Sequence, residues 1–211
     1  MHHLPNLFKL IQLARTQVQY GFLVSGFYKH ELPDLAQHQY MVTFISWQIA
    51  LSANKSGCKL DVQKVMEYSL VHDLGEIFGS DISRPYALAN PPARMLAKKF
   101  EALNLKFISE FFGEDKQYFQ KLSKEILEPK NDEAVVAKLA DYLEVIHFMI
   151  YLKKIKPFDF KIIKTYISNL TKTAKDPVLK KYINKFSQTW FKTVSSTDYL
   201  NQAISEIINE Q

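Results

Sequence analysis

A histidine and two acidic residues stand close together about one third of the way along the sequence. His72, Asp73 and Glu76 fall within five residues, in the segment His72-Asp73-Leu74-Gly75-Glu76. Residues three and four apart lie on the same side of a helix, so the three side chains can reach one side of a helix end. Imidazole and carboxylate groups are natural ligands of divalent cations. A nearby carboxylate can orient or deprotonate a water molecule beside such an ion. The segment therefore predicts metal-dependent acid–base chemistry.

Three residues outside this segment carry groups of the same kind. His38 lies near the start of a predicted helix, and Asp141 lies in another predicted helix whose neighbouring residues are apolar. A carboxylate among apolar neighbours is costly to bury unless it is paired or bound to a metal ion. Asp81 follows Glu76 by five residues and adds a further acid. These residues are candidates for the same site.

The elements that must position these residues are predicted to be helices, because apolar residues recur at spacings of three and four along most of the sequence. Capping residues and Gly or Pro residues mark the predicted ends. Helices are expected at about 7–14, 34–56, 61–74, 93–112, 115–127, 131–154, 160–170 and 178–194, with a loop over 75–92. Met41 and Phe44 are among the apolar positions of the second helix, and Leu70 is counted among the residues of the third helix that face inward. The pattern predicts a single all-α domain.

The composition is that of an ordinary globular protein, with 47% hydrophobic and 23% charged residues among 211. It excludes collagen-like, low-complexity and wholly disordered chains. The single cysteine, Cys58, excludes a disulfide framework within the chain and favours a reducing compartment. The sequence shows no secretory signal and no apolar run near the ~20 residues of a membrane span. We therefore expect a cytoplasmic protein that does not engage membranes.

The net charge of +5 is unevenly distributed along the chain. Residues 151–192 contain 11 Lys and no Arg against two Asp, which gives this segment a charge of +9 and leaves −4 for the rest. A basic segment can attract phosphates, nucleic acid or an acidic partner. It is also typical of a solvated surface that keeps a protein in solution. Both interpretations stay open on the sequence alone.

The order of the candidate ligands resembles a known family pattern. His38, the His72-Asp73 pair and Asp141 follow one another as in the H…HD…D pattern of the HD-domain metal-dependent phosphohydrolases. The resemblance implies an all-α HD-domain fold with a metal site between its central helices. It also implies that the four residues bind one divalent metal ion. Such a mixed N/O set with open positions suits Mn, Co, Fe, Mg or Ni better than a closed structural zinc site.

The fuller pattern is similar to one branch, the bacterial and archaeal 5′-deoxynucleotidases and their HD-domain relatives. It comprises Glu76, the Gly-x-Asp-Ile turn that contains Asp81, and a Lys-Leu-Ala-Asp-x-Leu-Glu helix over 138–144. The resemblance covers roughly residues 7–155. It implies direct hydrolysis of a phosphomonoester, in which Glu76 orients or deprotonates the attacking water and Asp81 protonates the leaving oxygen or supports the site.

The predicted domain has two parts. Residues 1–155 are expected to form the HD-type core, and residues 156–211 to add Lys-rich helices that pack on the same domain.

The segment expected to contact the substrate departs from the pattern of these relatives. Where they carry an arginine and a tryptophan, this chain reads Gln19-Tyr20-Gly21-Phe22, and Gln37 replaces the acid before the first histidine. Gln19, Tyr20 and Phe22 are therefore candidate substrate contacts of altered chemistry, although Tyr20 and Phe22 also suit core packing. Arg84 is a candidate phosphate ligand, because a guanidinium group binds phosphate through two parallel hydrogen bonds.

Three functions are compatible with these residues. The first is release of phosphate from a nucleoside 5′-monophosphate or a similar small phosphomonoester. The second is hydrolysis of a nucleoside triphosphate or an alarmone, although Glu76-Ile77 stands where alarmone hydrolases carry an acidic pair. The third is non-catalytic binding of a nucleotide or nucleic acid through the Lys-rich segment. The resemblance also implies a homodimer.

Overall fold

The longer helices begin where a short polar side chain can accept a hydrogen bond from a free backbone amide. In the computed structural model, which describes residues 2–79, 81–194, 204–205 and 207–208, Asp34 accepts from the Gln37 amide and Asn131 from the Ala134 amide. The α-helices are α1 (Leu4–Ile11), α2 (Leu35–Lys55), α3 (Val62–Val71), α4 (Arg84–Ala89), α5 (Pro91–Ser109), α6 (Lys116–Leu127), α7 (Asp132–Tyr151), α8 (Pro157–Thr173) and α9 (Pro177–Thr193). Short 3-10 helices span Gln12–Arg15, Tyr20–Ser25, Lys29–Glu31, Leu74–Phe78 and Glu110–Asp115.

The all-α prediction is confirmed. Within the described ranges the only β-type pairing is an isolated bridge between Val18 and Asp34. None of the helices that the structure describes combines the length and the apolar character needed to cross a membrane.

Three central helices, α2, α3 and α7, pack against one another and carry the core. Small side chains allow the close approach of α2 and α3, where the Ser69 hydroxyl donates to the Ser46 hydroxyl over 2.7 Å. Val42 of α2, Val65 of α3 and Leu139 of α7 are fully buried in one cluster. These helices also carry or immediately precede each candidate metal ligand.

The helices α8 and α9 complete the same core. Ile163 and Ile167 of α8 and Leu179 and Ile183 of α9 are buried in the cluster that contains the α2 and α7 residues. The division of the chain at residue 155 stays a prediction. Within the predicted C-terminal part, residues 156–211, most of the residues after 194 lie outside the described residues.

Two details of the helix prediction are wrong. The segment 75–92 is not a continuous loop, because its first residues belong to the 3-10 helix Leu74–Phe78 and its later ones form α4 and the start of α5. Leu70 does not face inward but is 52% exposed, and the apolar positions Met41 and Phe44 of α2 are also exposed, at 45% and 49%. Apolar residues of α2 and α3 occur on the exposed side of each helix as well as on the buried side. Periodicity alone therefore could not separate the two sides.

Candidate metal centre

The four predicted ligands come together between the central helices. His38 lies in the first turn of α2, His72 and Asp73 directly follow α3, and Asp141 lies in the middle of α7. Each offers one nitrogen or oxygen atom, and the four atoms lie within 4.8 Å of one another. His38, His72 and Asp141 are buried. The group could therefore hold a metal ion.

Hydrogen bonds on the far side of each imidazole fix its orientation. The His38 Nδ1 atom lies 2.7 Å from Oε2 of Glu144, and the His72 Nδ1 atom lies 2.7 Å from the Ser69 carbonyl oxygen. Both partners are acceptors, so each Nδ1 carries a proton and each Nε2 is the atom left to bind an ion. Such outer contacts orient histidine ligands in metal sites.

The two Nε2 atoms face each other at 3.2 Å. Burial acts to lower the pKa of His38, but hydrogen bonds to Asp141, Asp73 and Glu144 outweigh it and raise the pKa well above its usual value. The surrounding carboxylates thus favour a positive charge between the imidazoles, and a metal ion can supply that charge in place of a proton. Ligand atoms about 2.1 Å from one ion, in neighbouring positions, lie about 3 Å apart. The donor set therefore fits a cation between His38 and His72.

The carboxylates of Asp73 and Asp141 close the site. Oδ2 of Asp73 lies 3.3 Å from the His38 Nε2 atom and 3.1 Å from the His72 Nε2 atom. Oδ1 of Asp141 lies 3.5 Å from the His38 Nε2 atom, while its Oδ2 pairs with the Lys138 ammonium at 2.7 Å. Lys138 thus turns one oxygen of Asp141 towards the imidazoles.

The electrostatics of the group favour ionised carboxylates. Burial acts to raise the pKa of Asp73, but the neighbouring His72 and His38 hold it well below its usual range. Burial acts in the same direction on Asp141, and Lys138 together with His38 outweighs it and lowers the pKa. Two ionised carboxylates can balance the charge of a divalent cation, which makes burial of the ion tolerable.

The two predicted catalytic acids lie beside this group. Glu76 is on the 3-10 helix Leu74–Phe78, so His72, Asp73 and Glu76 do not share one α-helix end, yet all three line the same cavity. Burial and then the negative charge of Asp73 raise the pKa of Glu76 well above its usual value. Burial also raises the pKa of Asp81, partly offset by a hydrogen bond from the Gly21 amide.

The Gly21 amide donates to Oδ2 of Asp81 over 2.6 Å. A Cβ atom at Gly21 would lie 2.8 Å from Oδ1 of Asp81, which is closer than side chains tolerate. The absence of a side chain at position 21 therefore allows the N-terminal 3-10 helix Tyr20–Ser25 to hold Asp81.

Sequence reasoning missed a third carboxylate, Glu101 of α5. It lines the cavity, and burial, followed by the charge of Asp73, raises its pKa to about 7. The available signal was its spacing, because Glu101 falls in helical register with the buried residues Leu105 and Ile108. The contact of Glu144 with His38 was also missed, since the sequence does not show which helix faces which.

The site opens into a cavity of about 910 Å³. Metal-ligand and acidic side chains form one part of its wall, and basic side chains and aromatic rings form others. The basic residues are Arg84, Arg94, Lys98, Lys138, Lys154 and Lys156. Phe158 and Tyr166 show that α8 contributes to the wall. A cavity of this size and chemistry can enclose a small anionic molecule.

The predicted substrate contacts are placed differently from one another. Arg84, the first residue of α4, lines the cavity with its guanidinium carbon 4.7 Å from the Tyr166 ring centre and 5.2 Å from that of Tyr142. Gln19 lines the cavity and is buried, and its side-chain oxygen has no hydrogen-bond partner among the described residues.

Of the two predicted aromatic contacts, only Phe22 lies at the cavity. Phe22 lines the cavity and also packs edge-on against Phe148, with ring centres 5.1 Å apart. Tyr20 is exposed and is not among the residues that line the cavity.

Comparison with known proteins gives a consistent family and fold. The PH0347 protein from Pyrococcus horikoshii OT3 is 25% identical, with a TM-score of 0.65 over 87% of this chain and 96% of its own. A conserved hypothetical protein from Pyrococcus furiosus is 23% identical, with a TM-score of 0.64 over 87% of this chain and 98% of its own, and shows the fold alone. Curated proteins give no match. Residues 27–182 match the HD domain family. Since this match spans most of the sequence and includes the four ligand positions, the chain belongs to the HD domain family.

Proposed function

We propose that the protein is a metal-dependent phosphohydrolase that releases phosphate from a nucleoside 5′-monophosphate or a similar small phosphomonoester. The observation that carries the proposal is the pair of Nε2 atoms of His38 and His72, which face each other at 3.2 Å beside two carboxylates. Neutral imidazoles and carboxylates around an accessible cavity are typical of catalytic metal sites. The proposed branch of the family is that of the 5′-deoxynucleotidases.

The residues that would hold the ion are His38, His72, Asp73 and Asp141. A divalent ion bound by them, with Mn, Co, Mg, Fe or Ni as candidates, would polarise the phosphoryl group and favour deprotonation of water. Glu144 and Lys138 keep the ligand atoms oriented through their contacts with His38 and Asp141.

Glu76 and Asp81 are assigned the proton transfers. Glu76, beside Asp73 on the cavity wall, orients the attacking water and takes up its proton. Asp81, held by the Gly21 amide, donates a proton to the leaving ester oxygen. Raised pKa values suit carboxyl groups for such transfers near neutral pH.

Arg84 and Gln19 are proposed to position the substrate. The rings of Tyr142 and Tyr166 limit the movement of the Arg84 guanidinium, which can then bind a phosphate oxygen pair. The unpartnered oxygen of Gln19 can accept a hydrogen bond from a hydroxyl or amino group of the substrate. Phe22 offers an apolar ring at the same wall.

A second candidate reaction is hydrolysis of a nucleotide that carries more than one phosphate. Arg94 and Lys98 of α5 line the cavity in addition to Arg84. This further positive charge would suit a second or third phosphate group.

The test is phosphate release from a panel of ribonucleoside and deoxyribonucleoside 5′-monophosphates and triphosphates with Mn²⁺, Co²⁺ or Mg²⁺. We expect monophosphates to be the better substrates and Asp141→Asn to abolish release, whereas Glu114→Gln, at an exposed position, should keep full activity. Release from triphosphates alone would favour the second reaction. No release from folded, metal-loaded protein would refute both.

A further inference from the structure

Helices α8 and α9 carry lysines that the proposed reaction does not use. Residues 157–193 contain eight Lys and no Arg, against the two acids Asp159 and Asp176. None of these eight lysines lines the cavity of the metal centre. Among the described residues, none of the eight forms an ion pair with a carboxylate. Their positive charge is therefore not compensated within the described part of the chain.

The two acids of this segment are held at the starts of the helices. Oδ2 of Asp159 accepts from the Lys156 amide over 2.8 Å, and Oδ1 of Asp176 accepts from the Val178 amide over 2.8 Å. These carboxylates lie beside helix N-termini, whose partial positive charge they offset. No acid follows Asp159 in α8, and α9 contains none. The outer sides of both helices therefore carry positive charge alone.

Helical spacing gathers six of the lysines into two exposed stripes, one on each helix. They are Lys161, Lys164 and Lys172 of α8 and Lys181, Lys185 and Lys192 of α9. Within each stripe the successive separations are three or four residues and then seven or eight, about one and two helical turns. Residues at such separations lie on one side of a helix, and each stripe extends over about 17 Å of helix. We call the two stripes together the lysine face.

The two stripes adjoin one another. Helix α8 packs against α9, and the Lys164 Nζ atom lies 5.8 Å from the centre of the Phe191 ring. Phe191 directly precedes Lys192, so the α8 stripe meets the α9 stripe near the end of α9. Ile163 of α8 and Ile183 of α9 point inward and are buried in the core. The lysine face is therefore one outward surface that is fixed to the body of the domain.

We propose that the lysine face binds double-stranded nucleic acid through its phosphate backbone. This function is separate from the proposed hydrolysis, and it uses no residue of the metal centre. A duplex carries one negative charge per about 1.7 Å of its axis, and lysines that neutralise its phosphates release counterions, which drives binding. Contacts of this kind carry no sequence information. The chain as a whole has the required sign of charge, with a net charge of +5 and a pI of about 9.0.

The side chains around the lysines distinguish a nucleic-acid duplex from other anionic partners. Exposed positions within the stripes are polar, as at Ser168 and Gln188, whereas a helix that lies on a membrane inserts large apolar residues. Lysine is depleted in protein interfaces, where aromatic residues and Arg are enriched. The aromatic residues of α9 are buried or half-buried, so they offer no open rings on which the bases of a single strand could stack. A duplex, which is bound through its backbone, is the partner that fits.

The experiment measures the binding of a fluorescent DNA duplex to the full chain by anisotropy, at about 50 and 200 mM salt. We expect the duplex to bind more tightly than either of its single strands. Its affinity should fall about 10³-fold over this salt range, as six phosphate contacts require. The triple variant Lys181→Gln, Lys185→Gln, Lys192→Gln keeps three of the six contacts, so its affinity should fall only about 40-fold over the same range.

A matched control removes the same charge from another surface. The triple variant Lys106→Gln, Lys121→Gln, Lys124→Gln changes exposed positions of α5 and α6 and should bind the duplex with the wild-type salt dependence. Circular dichroism of both triple variants checks that the helices are intact. An RNA duplex of the same sequence, measured alongside, distinguishes the two kinds of nucleic acid, and tight binding of either duplex supports the proposal.

The other outcomes overturn the proposal. Absence of duplex binding at about 50 mM salt would leave the lysine face as a solvated surface. Equal weakening by both triple variants would show that net charge, and not this face, attracts the duplex. Tighter binding of the single strands would refute the duplex, and binding only to vesicles of phosphatidylserine and phosphatidylcholine would assign the face to a membrane.

Phosphate release from a nucleoside 5′-monophosphate, measured on the same samples, separates this proposal from the proposed function. The α9 triple variant should keep the wild-type rate, because its lysines do not line the cavity. Asp141→Asn should lose phosphate release and keep duplex binding. Failure of the hydrolase proposal would therefore leave the result for the lysine face unchanged.

Discussion

At the residue scale, the outer hydrogen bonds of the two histidines determine what the site can bind. The carboxylate of Glu144 holds the proton of His38 on Nδ1, and the Ser69 carbonyl does the same for His72. Both Nε2 atoms are thereby directed to one point. The ligand geometry depends on residues that never touch the ion, which is a general property of histidine sites.

The first prediction concerns Glu144. Glu144→Gln keeps the shape of the side chain but removes its charge, so His38 becomes a weaker and less fixed ligand. We expect a loss of metal affinity of about 10- to 100-fold, measured by calorimetric titration of the metal-free protein with Mn²⁺. The control Glu114→Gln should bind as the wild type. Unchanged affinity in Glu144→Gln would show that His38 does not need this partner.

The second prediction concerns Glu101 and pH. Its pKa is raised from 4.5 to about 7 in the folded protein, so its contribution to stability is present below pH 4.5 and is lost as pH rises through 7. Glu101→Gln should remove this loss. We compare the free energy of unfolding of the variant with that of the wild type, both metal-free. We expect this difference to favour the variant by about 1–3 kcal/mol more at pH 8 than at pH 4.5.

Denaturant titrations at both pH values, with a chelator present, measure this difference. An equal effect of Glu101→Gln at pH 4.5 and pH 8 would contradict the raised pKa.

At the element scale, the 3-10 helix Leu74–Phe78 places Glu76 through its contact with α5. The side chain of Asn104 donates to the Gly75 carbonyl over 2.7 Å. A Cβ atom at Gly75 would lie 2.8 Å from Cγ of Glu101 and 2.9 Å from its carbonyl oxygen. Only a residue without a side chain permits this approach.

The third prediction follows from that contact. Gly75→Ala should push the 3-10 helix away from α5, lower the free energy of unfolding by about 1–3 kcal/mol and lower the turnover rate by displacing Glu76. Ala102→Ser adds one heavy atom at an exposed position of α5 and should change neither. Wild-type stability and turnover in Gly75→Ala would mean that the backbone spacing here is not required.

The helices themselves were largely predictable, because capping residues such as Asp34 and Asn131 announce their first turns in the sequence. The 3-10 helix and α4 were not, since Gly75, Gly79 and Pro85 suggest a loop while Pro85 also suits the first turn of a helix. The four candidate ligands were predicted from their order along the chain. Glu101 and Glu144 were not, because their importance arises only when α5 and α7 are packed against the site.

At the scale of the whole molecule, α2 and α8 each contribute both to the core and to the candidate site. Helix α2 carries His38 of the metal centre and buries Val42 in the core between the central helices. Helix α8 buries Ile163 and Ile167 in the core and contributes Phe158 and Tyr166 to the cavity wall. The Lys-rich segment of the sequence is therefore part of the proposed active site: its Tyr166 lies against the Arg84 guanidinium, and its Lys154 and Lys156 line the cavity.

The most direct test titrates metal-free protein with Mn²⁺ and measures, on the same samples, the ions bound per chain and the phosphate released from a nucleoside 5′-monophosphate. We predict that release rises with occupancy, reaches its maximum at one ion per chain, and disappears together with tight binding in His72→Asn. Phosphate release at the full rate from chelator-treated protein, or a rate that does not change with the number of ions bound, would contradict this account. His38, His72, Asp73 and Asp141 would then not form a catalytic metal site.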